Sequence, residues 1–345
     1  MRSVDGLDGD AYVRTLIIQI PCYNEEATLA ETIASLPRTV RGFDTVEILV
    51  IDDGSTDRTT QVAQAAGADH ILRLPHNQGL ARAFMAGIEA CLKAGADVIV
   101  NTDADNQYDA TCIPALVAPI LEGRALIVVG SRPIATIEEF SWAKKLLQRI
   151  GSTVVEIASG TDVPDAPSGF RAIDREAALR LCVFNNYTYT LETIIQAGRK
   201  NLPIVAVPVR VNRATRPSRL VKSMFSYVRR SILTIIRIFV LYKPLRFFVA
   251  LGTLFLVPGL LIGVRFVIGY LEGEGAGRVQ SLILSAILIV TSMIIYGAGV
   301  ISDLIAANRV LLEEVRTRLL RAEVDSAKAS RRGGAVSETR AQAGV

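Results

Sequence analysis

The sequence is poor in the residues that build metal clusters and disulfide frameworks. Among 345 residues there are two histidines and four cysteines. The cysteines are scattered, at Cys22, Cys91, Cys112 and Cys182. No pair has metal-ligand or redox spacing, which predicts free thiols in a reducing compartment. Residues 1–14 are polar and acidic, and the first apolar run, at 16–20, is too short for the core of a signal peptide.

Acidic residues are absent from one long segment of the chain. Residues 193–271 hold 13 Lys and Arg and no Asp or Glu. Residues 1–192 hold 16 basic and 26 acidic residues, and residues 272–345 hold 9 and 8, so a mild net charge of +4 hides a strong segregation. Such asymmetry suggests an acidic catalytic or metal-binding part joined to a part that meets an anionic surface.

The hydrophobicity of the chain excludes two broad classes. A mean hydropathy of +0.35 and 50% hydrophobic residues exclude disorder for most of the chain, because disorder needs low hydrophobicity. A charged fraction of 21% is too high for a protein made mainly of membrane spans. One large soluble domain with a few membrane segments fits both figures.

Two uncharged runs predict a membrane hairpin. Residues 247–264 and 279–301 carry no charge, and the first extends to 270 if Arg265 reaches the interface. Lys and Arg flank the pair on both outer sides, whereas the glycine-rich link at 271–278 holds only Arg278, so both flanks are expected in the cytoplasm. The alternative is a pair of buried helices in a soluble domain.

The regions around the hairpin show helical periodicity. Residues 219–240 predict a basic amphipathic helix at the membrane interface, and 142–158 fit either an interface helix or core packing. The predicted organisation is a polar extension at 1–14, a catalytic domain at 15–218, a basic juxtamembrane region at 219–246, a transmembrane hairpin at 247–301 with spans 247–270 and 279–301, a cytoplasmic helix at 302–321 and a disordered tail at 322–345.

The soluble domain alternates short apolar runs with amphipathic stretches. The apolar runs lie at 16–20, 46–51, 70–72, 98–100 and 126–129, and the helical patterns between them lie at 26–36, 58–66, 79–94 and 111–121. Continuous β-branched runs predict strands buried on both faces. The expected fold class is therefore α/β, Rossmann-like, with a mostly parallel sheet and helices on both sides.

Polar motifs follow these predicted strands, where the sites of such sheets lie. Asp103-Ala104-Asp105 comes directly after a buried strand, and two carboxylates at this spacing can flank one Mg²⁺ or Mn²⁺ ion that shares its shell with phosphates. Asp52 and Asp53 follow another strand and predict contacts to a base or ribose, or else a turn that caps the next helix. No glycine-rich phosphate loop is present, so metal and Arg are expected to hold the phosphates.

Together these motifs resemble the family 2 glycosyltransferases of the GT-A fold. The matching segments are Pro-Cys-Tyr-Asn-Glu-Glu at 21–26, Asp-Asp-Gly-Ser-Thr-Asp at 52–57, Asn-Gln-Gly at 77–79, Asp-Ala-Asp at 103–105, Gly-Ser-Arg at 130–132, Ser-Gly-Phe-Arg at 168–171 and the basic stretch 213–219. With two predicted spans after the domain, the chain looks like a polyprenyl-phosphate glycosyltransferase. Two departures are Arg216 and Arg219, where the family usually has Gly and Lys.

The resemblance implies site residues by position. Metal binding is implied for Asp103 and Asp105, and catalytic roles for Asp105, Arg132 and Arg213. The implied nucleotide-sugar contacts are Pro21, Tyr23, Glu25, Asp52, Asp53, Asn77, Gly79, Asp103, Ala104, Asp105, Gln107, Arg213 and Arg219. The implied lipid-phosphate contacts are Arg132, Arg149, Ser152, Ser168 and Arg171.

The activity that the resemblance implies is inverting transfer of a sugar from a UDP- or GDP-sugar to a polyprenyl phosphate, with Mg²⁺ or Mn²⁺ as cofactor. The expected partners are these two substrates, membrane lipids and a second copy of the chain, and no nucleic acid. One alternative is a membrane-anchored glycosyltransferase acting on a glycan or lipid hydroxyl, for which Glu192 stands at about the position of a general base. Another is a non-enzymatic nucleotide-binding scaffold.

Overall fold

A computed structural model of the chain describes residues 13–132, 159–161, 163–183, 189–212, 236–237, 240–272 and 279–342, with side chains as far as 328. The chain divides into two compact units. The first comprises Met1–Ser218 together with Arg316–Val345, and the second comprises Arg219–Val315.

The first unit is built on a seven-stranded sheet in the order β3-β2-β1-β4-β6-β5-β7. The strands are β1 (Thr15–Cys22), β2 (Thr45–Asp52), β3 (His70–Arg73), β4 (Val98–Asn101), β5 (Ile127–Ser131), β6 (Arg171–Asp174) and β7 (Ile204–Pro208). All pairings are parallel except those of β6, which runs antiparallel to both β4 and β5. The expectation of a mostly parallel α/β sheet is confirmed.

Helices connect these strands. They are α1 (Leu29–Ser35), α2 (Thr59–Ala65), α3 (Leu80–Ala94), α4 (Ile113–Leu121, after a 3₁₀ turn at Ala110–Cys112), α5 (Arg175–Arg180) and α6 (Tyr189–Arg199). α3 ends where Gly95 adopts a left-handed conformation with φ +98°, which glycine accepts without steric cost. The first five strands and first four helices lie where the hydrophobic periodicity predicts them.

Alternate residues of the central strand β1 pack into two separate cores. Leu16, Ile18 and Ile20 lie in one apolar cluster, whereas Ile17 lies in the other, on the opposite face of the sheet. This is the period-two alternation of a strand, with both faces buried. The burial of both faces explains why the strand reads as a continuous apolar run.

The sequence did not predict β6 or β7. β6 is only four residues long, begins with a charged Arg171 and ends at Asp174, so it lacks an apolar run. It forms because its neighbours β4 and β5 supply hydrogen bonds on both sides. Tertiary pairing therefore overrides a weak local preference.

The second unit contains two long apolar helices, α7 (Pro244–Leu271) and the first part of α8 (Val279–Gln342). Their most apolar windows have mean hydropathies of 2.4 and 2.2, and only 11% and 17% of those windows is buried. A buried core helix would hide far more of its surface. Both helices are therefore candidate membrane spans by length, composition and exposure.

The last part of α8 belongs to the first unit, which corrects one expectation. A disordered tail was predicted from residue 322, yet the helix continues and Val324 is 2% exposed. Val324 and Leu320 pack in the apolar cluster that also contains residues of α3. Residues 322–328 are ordered by this tertiary packing, which their own polar composition does not signal.

Candidate active site

The strand order places a switch point beside β1. The chain builds β1, β2 and β3 toward one edge and then places β4 on the other side of β1. Ligands of such sheets bind in the crevice at the carboxyl ends of the strands at this switch point. The loop after β1, with Tyr23 and Glu25, and the loop after β4, with Asp103 and Asp105, therefore flank one crevice.

The loop after β2 is held by carboxylate-to-amide hydrogen bonds. Asp53 accepts from the backbone N–H of Gln78 at 2.8 Å and of Gly79 at 2.9 Å, so it ties this loop to the start of α3. Gly54 has φ +70°, and a Cβ there would lie 2.5 Å from the backbone carbon of His76. Only glycine fits this turn.

The side chain of Asp52 points into the protein, although the sequence predicts that it contacts a nucleotide. Its side chain is fully buried, and its carboxylate accepts from the backbone N–H of Ser55 at 2.7 Å and from the Thr60 hydroxyl. Arg73 lies 3.7 Å from the second oxygen. In this placement Asp52 shapes the loop from inside, and its contact with a nucleotide stays a proposal.

Two threonines of the α1 region hold the loop after β4. The hydroxyls of Thr28 and Thr32 donate to the carbonyl of Ala104 at 2.9 and 3.0 Å. Asp105 accepts from the backbone N–H of Gln107 at 3.2 Å. Ala104 thus contributes its backbone to the site, and the carboxylates on either side of it are fixed relative to the loop after β1.

A buried polar triad supports Asp103 from behind. Asn101, at the end of β4, accepts from the amide of Gln19 at 2.9 Å and donates to the carbonyl of Gly169 at 2.8 Å and to the Tyr189 hydroxyl at 3.0 Å. A Cβ at Gly169 would lie 2.9 Å from Asp103 Oδ1 and 2.9 Å from the Tyr189 hydroxyl. Gly169 therefore lets the backbone approach the carboxylate closely.

The electrostatics of the carboxylate pair suit a divalent cation. Burial, and then the charge of Asp105, raise the pKa of Asp103 from 3.8 to about 6. A bound cation would offset the repulsion between the two carboxylates. Among the described residues no cluster of three or more His, Cys, Asp or Glu side chains surrounds a common point. Asp103 and Asp105 fit a Mg²⁺ or Mn²⁺ ion that completes its shell with phosphate oxygens and water.

Arg132 follows β5 and forms a fork-shaped ion pair with Asp165. Its Nε and Nη2 donate to the two carboxylate oxygens at 2.7 and 2.9 Å, and its backbone N–H donates at 3.1 Å. Asp165 is fully buried, whereas a quarter of the Arg132 side chain is exposed. Hydrogen bonding to Asp165 raises the pKa of Arg132, so its side chain is permanently charged. This positive charge acts on the carboxylate of Asp103.

Two expected lipid-phosphate ligands, Arg171 and Ser168, are buried. Arg171 is fully buried, and its guanidinium donates to the carbonyls of Ser168 and Ala166 at 2.8 Å each and to the Thr193 hydroxyl. Burial lowers its pKa to about 10, which leaves it charged at neutral pH. Ser168 is also fully buried. These two residues brace the 165–171 loop, and their contact with a lipid phosphate stays a proposal.

The remaining expected residues divide by exposure. Tyr23 is 40% exposed, Pro21 is buried, and Asn77 is exposed two residues before Gly79. Glu192 lies in the first turn of α6 and is 4% exposed, so it is not a residue of the helix surface. Arg149, Ser152, Arg213 and Arg219 lie outside the described residues.

Sequence reasoning missed Asn101, Asp165 and Tyr189. A signal for the first was available, because Gln19 and Asn101 interrupt two otherwise apolar strands, and a polar residue inside a buried strand needs a partner. Asp165 and Tyr189 gave no signal. They meet Arg132 and Asn101 across separations of 33 and 88 residues.

Known proteins resemble this chain in sequence. The sequence profile described as Glycosyl transferase family 2 matches residues 17–181. Polyprenol monophosphomannose synthase of Mycolicibacterium smegmatis is 30% identical over 57% of this chain and 76% of its own length. Undecaprenyl-phosphate mannosyltransferase of Micrococcus luteus is 30% identical over 57% of this chain and 83% of its own length.

A solved structure is similar as well. Glucosyl-3-phosphoglycerate synthase from Mycobacterium tuberculosis, crystallised with Mn²⁺, UDP and glucosyl-3-phosphoglycerate, has a TM-score of 0.51 and 26% identity. The match covers 64% of this chain and 80% of the other. The expected GT-A-like fold is confirmed. From the sheet, the loops at its carboxyl edge and these relatives, it follows that the chain is a glycosyltransferase and belongs to Glycosyl transferase family 2.

Proposed function

We propose that the protein transfers a sugar from a nucleotide diphosphate to a polyprenyl phosphate, with inversion at the anomeric carbon. The observation that carries this proposal is the pairing, at one crevice, of the Asp103 and Asp105 carboxylates with the fixed cation of Arg132. A diphosphate and a phosphate monoester both need positive charge, from a metal ion on one side and from Arg on the other. The two relatives are named for such lipids, polyprenol and undecaprenyl phosphate.

The donor side of the proposed site uses residues of the first two loops. Tyr23 offers an exposed ring beside the crevice, and Asp53 holds the start of α3 in place. Asp103 and Asp105 would hold the divalent ion, which supplies Lewis-acid stabilisation of the leaving diphosphate when bound. Glu25, Gln107, Arg213 and Arg219 stay proposed as further donor contacts.

The acceptor side needs orientation more than proton removal. The second pKa of a phosphate monoester is about 6, so its oxygen is already anionic at neutral pH and no general base is required. Arg132 would orient this oxygen, and Asp165 fixes the Arg side chain by two hydrogen bonds. Arg149 and Ser152 stay proposed as further acceptor contacts.

We place the catalytic domain on the cytoplasmic face of the membrane. Two candidate spans are present, and Lys and Arg flank them on both outer sides. Positive residues near span ends favour the cytoplasm. The acid-free segment 193–271 would then meet anionic head groups and the lipid phosphate.

The test is product identification. Purified protein is incubated with polyprenyl phosphate, Mg²⁺ or Mn²⁺ and a panel of UDP- and GDP-sugars, and the lipid product is identified by mass. A lipid-phosphate-linked sugar is expected with metal and none with EDTA. Glu122→Ala is a control, because it removes an exposed carboxylate just after the C-terminal end of α4. This variant should retain activity. No lipid product with any donor would refute the proposal.

The hydroxyl-acceptor alternative makes a different prediction at two residues. A hydroxyl must lose a proton, so a buried base such as Glu192 would be needed. For a phosphate acceptor, Arg132→Ala should reduce kcat/KM more than Glu192→Gln does. The reverse order would favour a hydroxyl acceptor.

A further inference from the structure

A short segment of α8, residues 316–328, docks on the catalytic unit. Arg316, Leu320 and Val324 are spaced four residues apart and so lie on one helix face. Leu320 and Val324 are 6% and 2% exposed, in the cluster that includes Ile88 and Leu92 of α3. Leu319, which directly precedes Leu320 and lies off this face, is 62% exposed. The segment therefore buries one narrow apolar stripe.

Ion pairs flank this stripe on the α3 side. Arg316 pairs with Glu89 and also donates to the carbonyl of Leu181 at 2.9 Å. About two turns later, Glu323 lies 3.2 Å from Lys93. A positive residue of α8 thus meets a negative residue of α3, and then the signs reverse.

The α5 side shows the same reversal. Arg321 donates to Glu176 at 2.7 Å, and Asp325 lies 3.7 Å from Arg175. Each pair has at least one well-exposed side chain and contributes little alone. Together they select one register, because moving the helix by one turn would bring Arg321 toward Arg175 and away from its partner. Like charges in the wrong register are a means of specificity.

The docking face lies on elements that also support the site. α3 begins beside Gly79, whose N–H binds Asp53, and Phe84 of α3 stacks on Tyr189 at 4.1 Å between ring centres. α5 follows β6 directly and so continues the strand that begins at Arg171. The docked helix therefore packs against the outer sides of elements whose other ends hold site residues.

We propose that residues 316–328 are an intramolecular docking helix that fastens the catalytic unit to the membrane hairpin a second time. The chain leaves this unit at 218 and re-enters it at 316. Two covalent connections restrict the reorientation of a domain far more than one flexible connection does. The α3–α5 face is thus an interaction surface whose occupant is this chain's own C-terminal segment.

Hydrogen–deuterium exchange of the full-length protein in nanodiscs tests the docking. Leu320→Asp with Val324→Asp places two charges in the apolar stripe and should raise exchange in 85–94, 175–181 and 316–328 by about tenfold or more. Leu319→Asp makes the same chemical change at the adjacent exposed position and should leave these segments as they are. Unchanged exchange in the double variant would overturn the docking.

A charge swap covers the case in which the double variant does not fold. Lys93→Glu places a negative charge opposite Glu323 and should raise exchange in 316–328 by about twofold, as expected for an exposed pair. Adding Glu323→Lys should restore the original exchange. Failure of the second substitution to restore it would show that this register is not the one used.

The tethering is measured without any reference to activity. The four natural cysteines are buried, so spin labels can be attached at Gln64→Cys on α2 and Leu271→Cys at the end of α7, both exposed positions. The distance distribution between them should broaden in Leu320→Asp with Val324→Asp and not in Leu319→Asp. An equally narrow distribution in both would overturn the second connection.

One consequence rests on the proposed function. Release of the helix should lower transfer to bilayer-embedded polyprenyl phosphate about fivefold or more, since effective concentration depends on geometry, while a short water-soluble prenyl phosphate should be used as before. Equal losses with both acceptors would refute a positioning role. If the unaltered protein uses neither acceptor, the proposed function fails, and exchange and label distances still decide the docking.

Discussion

The two sides of the crevice are held together in different ways. On the β2 side, the carboxylates of Asp52 and Asp53 accept from backbone amides 3 to 26 residues away. On the β4–β5 side, the side chains of Arg132, Asn101 and Arg171 form hydrogen bonds with side chains from other parts of the chain. The partners are Asp165, Tyr189 and Thr193. The first side is a set of turns, and the second is a buried polar network.

This difference predicts different responses to substitution. A turn fixed by backbone amides loses one or two hydrogen bonds when its carboxylate is removed. A buried network fails as a unit, because each lost member leaves a charged or polar partner without compensation. We expect the β4–β5 side to be the more sensitive one.

The largest expected effect is at the carboxylate pair. Asp105→Ala removes one of two proposed metal ligands and should lower metal-dependent transfer by about 1000-fold or more, as for loss of a principal electrostatic group. Circular dichroism should show a folded protein, since Asp105 is only partly buried. Full activity of this variant would remove the metal site from the proposal.

The next effect is at the contact behind the pair. Gly169→Ala places a Cβ 2.9 Å from Asp103 Oδ1, so either the loop that contains residue 169 or the Asp103 carboxylate must move. We expect transfer to fall about 100-fold, the size of effect that a small misplacement of a reacting group produces. Mn²⁺ affinity, measured by electron paramagnetic resonance, should weaken in parallel. Gly297→Ala is a control, because Gly297 has no left-handed φ and nothing lies within 4 Å of a Cβ there.

A smaller effect is expected at the Arg132 pair. Asp165→Asn keeps the size of the side chain but removes the charge that fixes Arg132, and about tenfold loss in kcat/KM for the acceptor is expected from the weaker hydrogen bonds. The KM for the nucleotide sugar should stay unchanged. A rise in that KM instead would place Arg132 on the donor side and break the division between the two sides.

The smallest effect is a pH dependence of metal binding. Because the pKa of Asp103 is raised to about 6, a proton competes with the metal below that pH. Mn²⁺ affinity should fall about tenfold per pH unit below 6 and level off above it. In metal-free protein the raised pKa of Asp103 lowers stability: the cost is full above about pH 6, declines as the pH falls from about 6 to 3.8, and is absent below 3.8. Affinity that is flat across this range would contradict the raised pKa.

Local patterns predicted where strands β2 and β4 end. Apolar runs ending in Asp-Asp-Gly and Asp-Ala-Asp located the strand ends, because a buried strand and the turn after it lie together in the sequence. The same patterns placed Asp52 among the ligand contacts, and nothing local distinguishes it from Asp53. Their difference arises because Asp53 reaches the amides before α3, while Asp52 turns inward to Thr60.

The sequence by itself determined the α/β class, the glycosyltransferase resemblance, the carboxylate pair and the two candidate spans, since each depends on residues close together in the chain. Tertiary structure alone decided the antiparallel β6, the burial of Arg171, the Arg132–Asp165 fork and the docking of residues 316–328. These features join residues that are far apart in the chain. Arg132 and Asp165 are 33 positions apart, and Glu89 and Arg316 are 227 positions apart. Only the tertiary structure brings such partners together, and the burial of Asp165 then makes its unpaired charge costly.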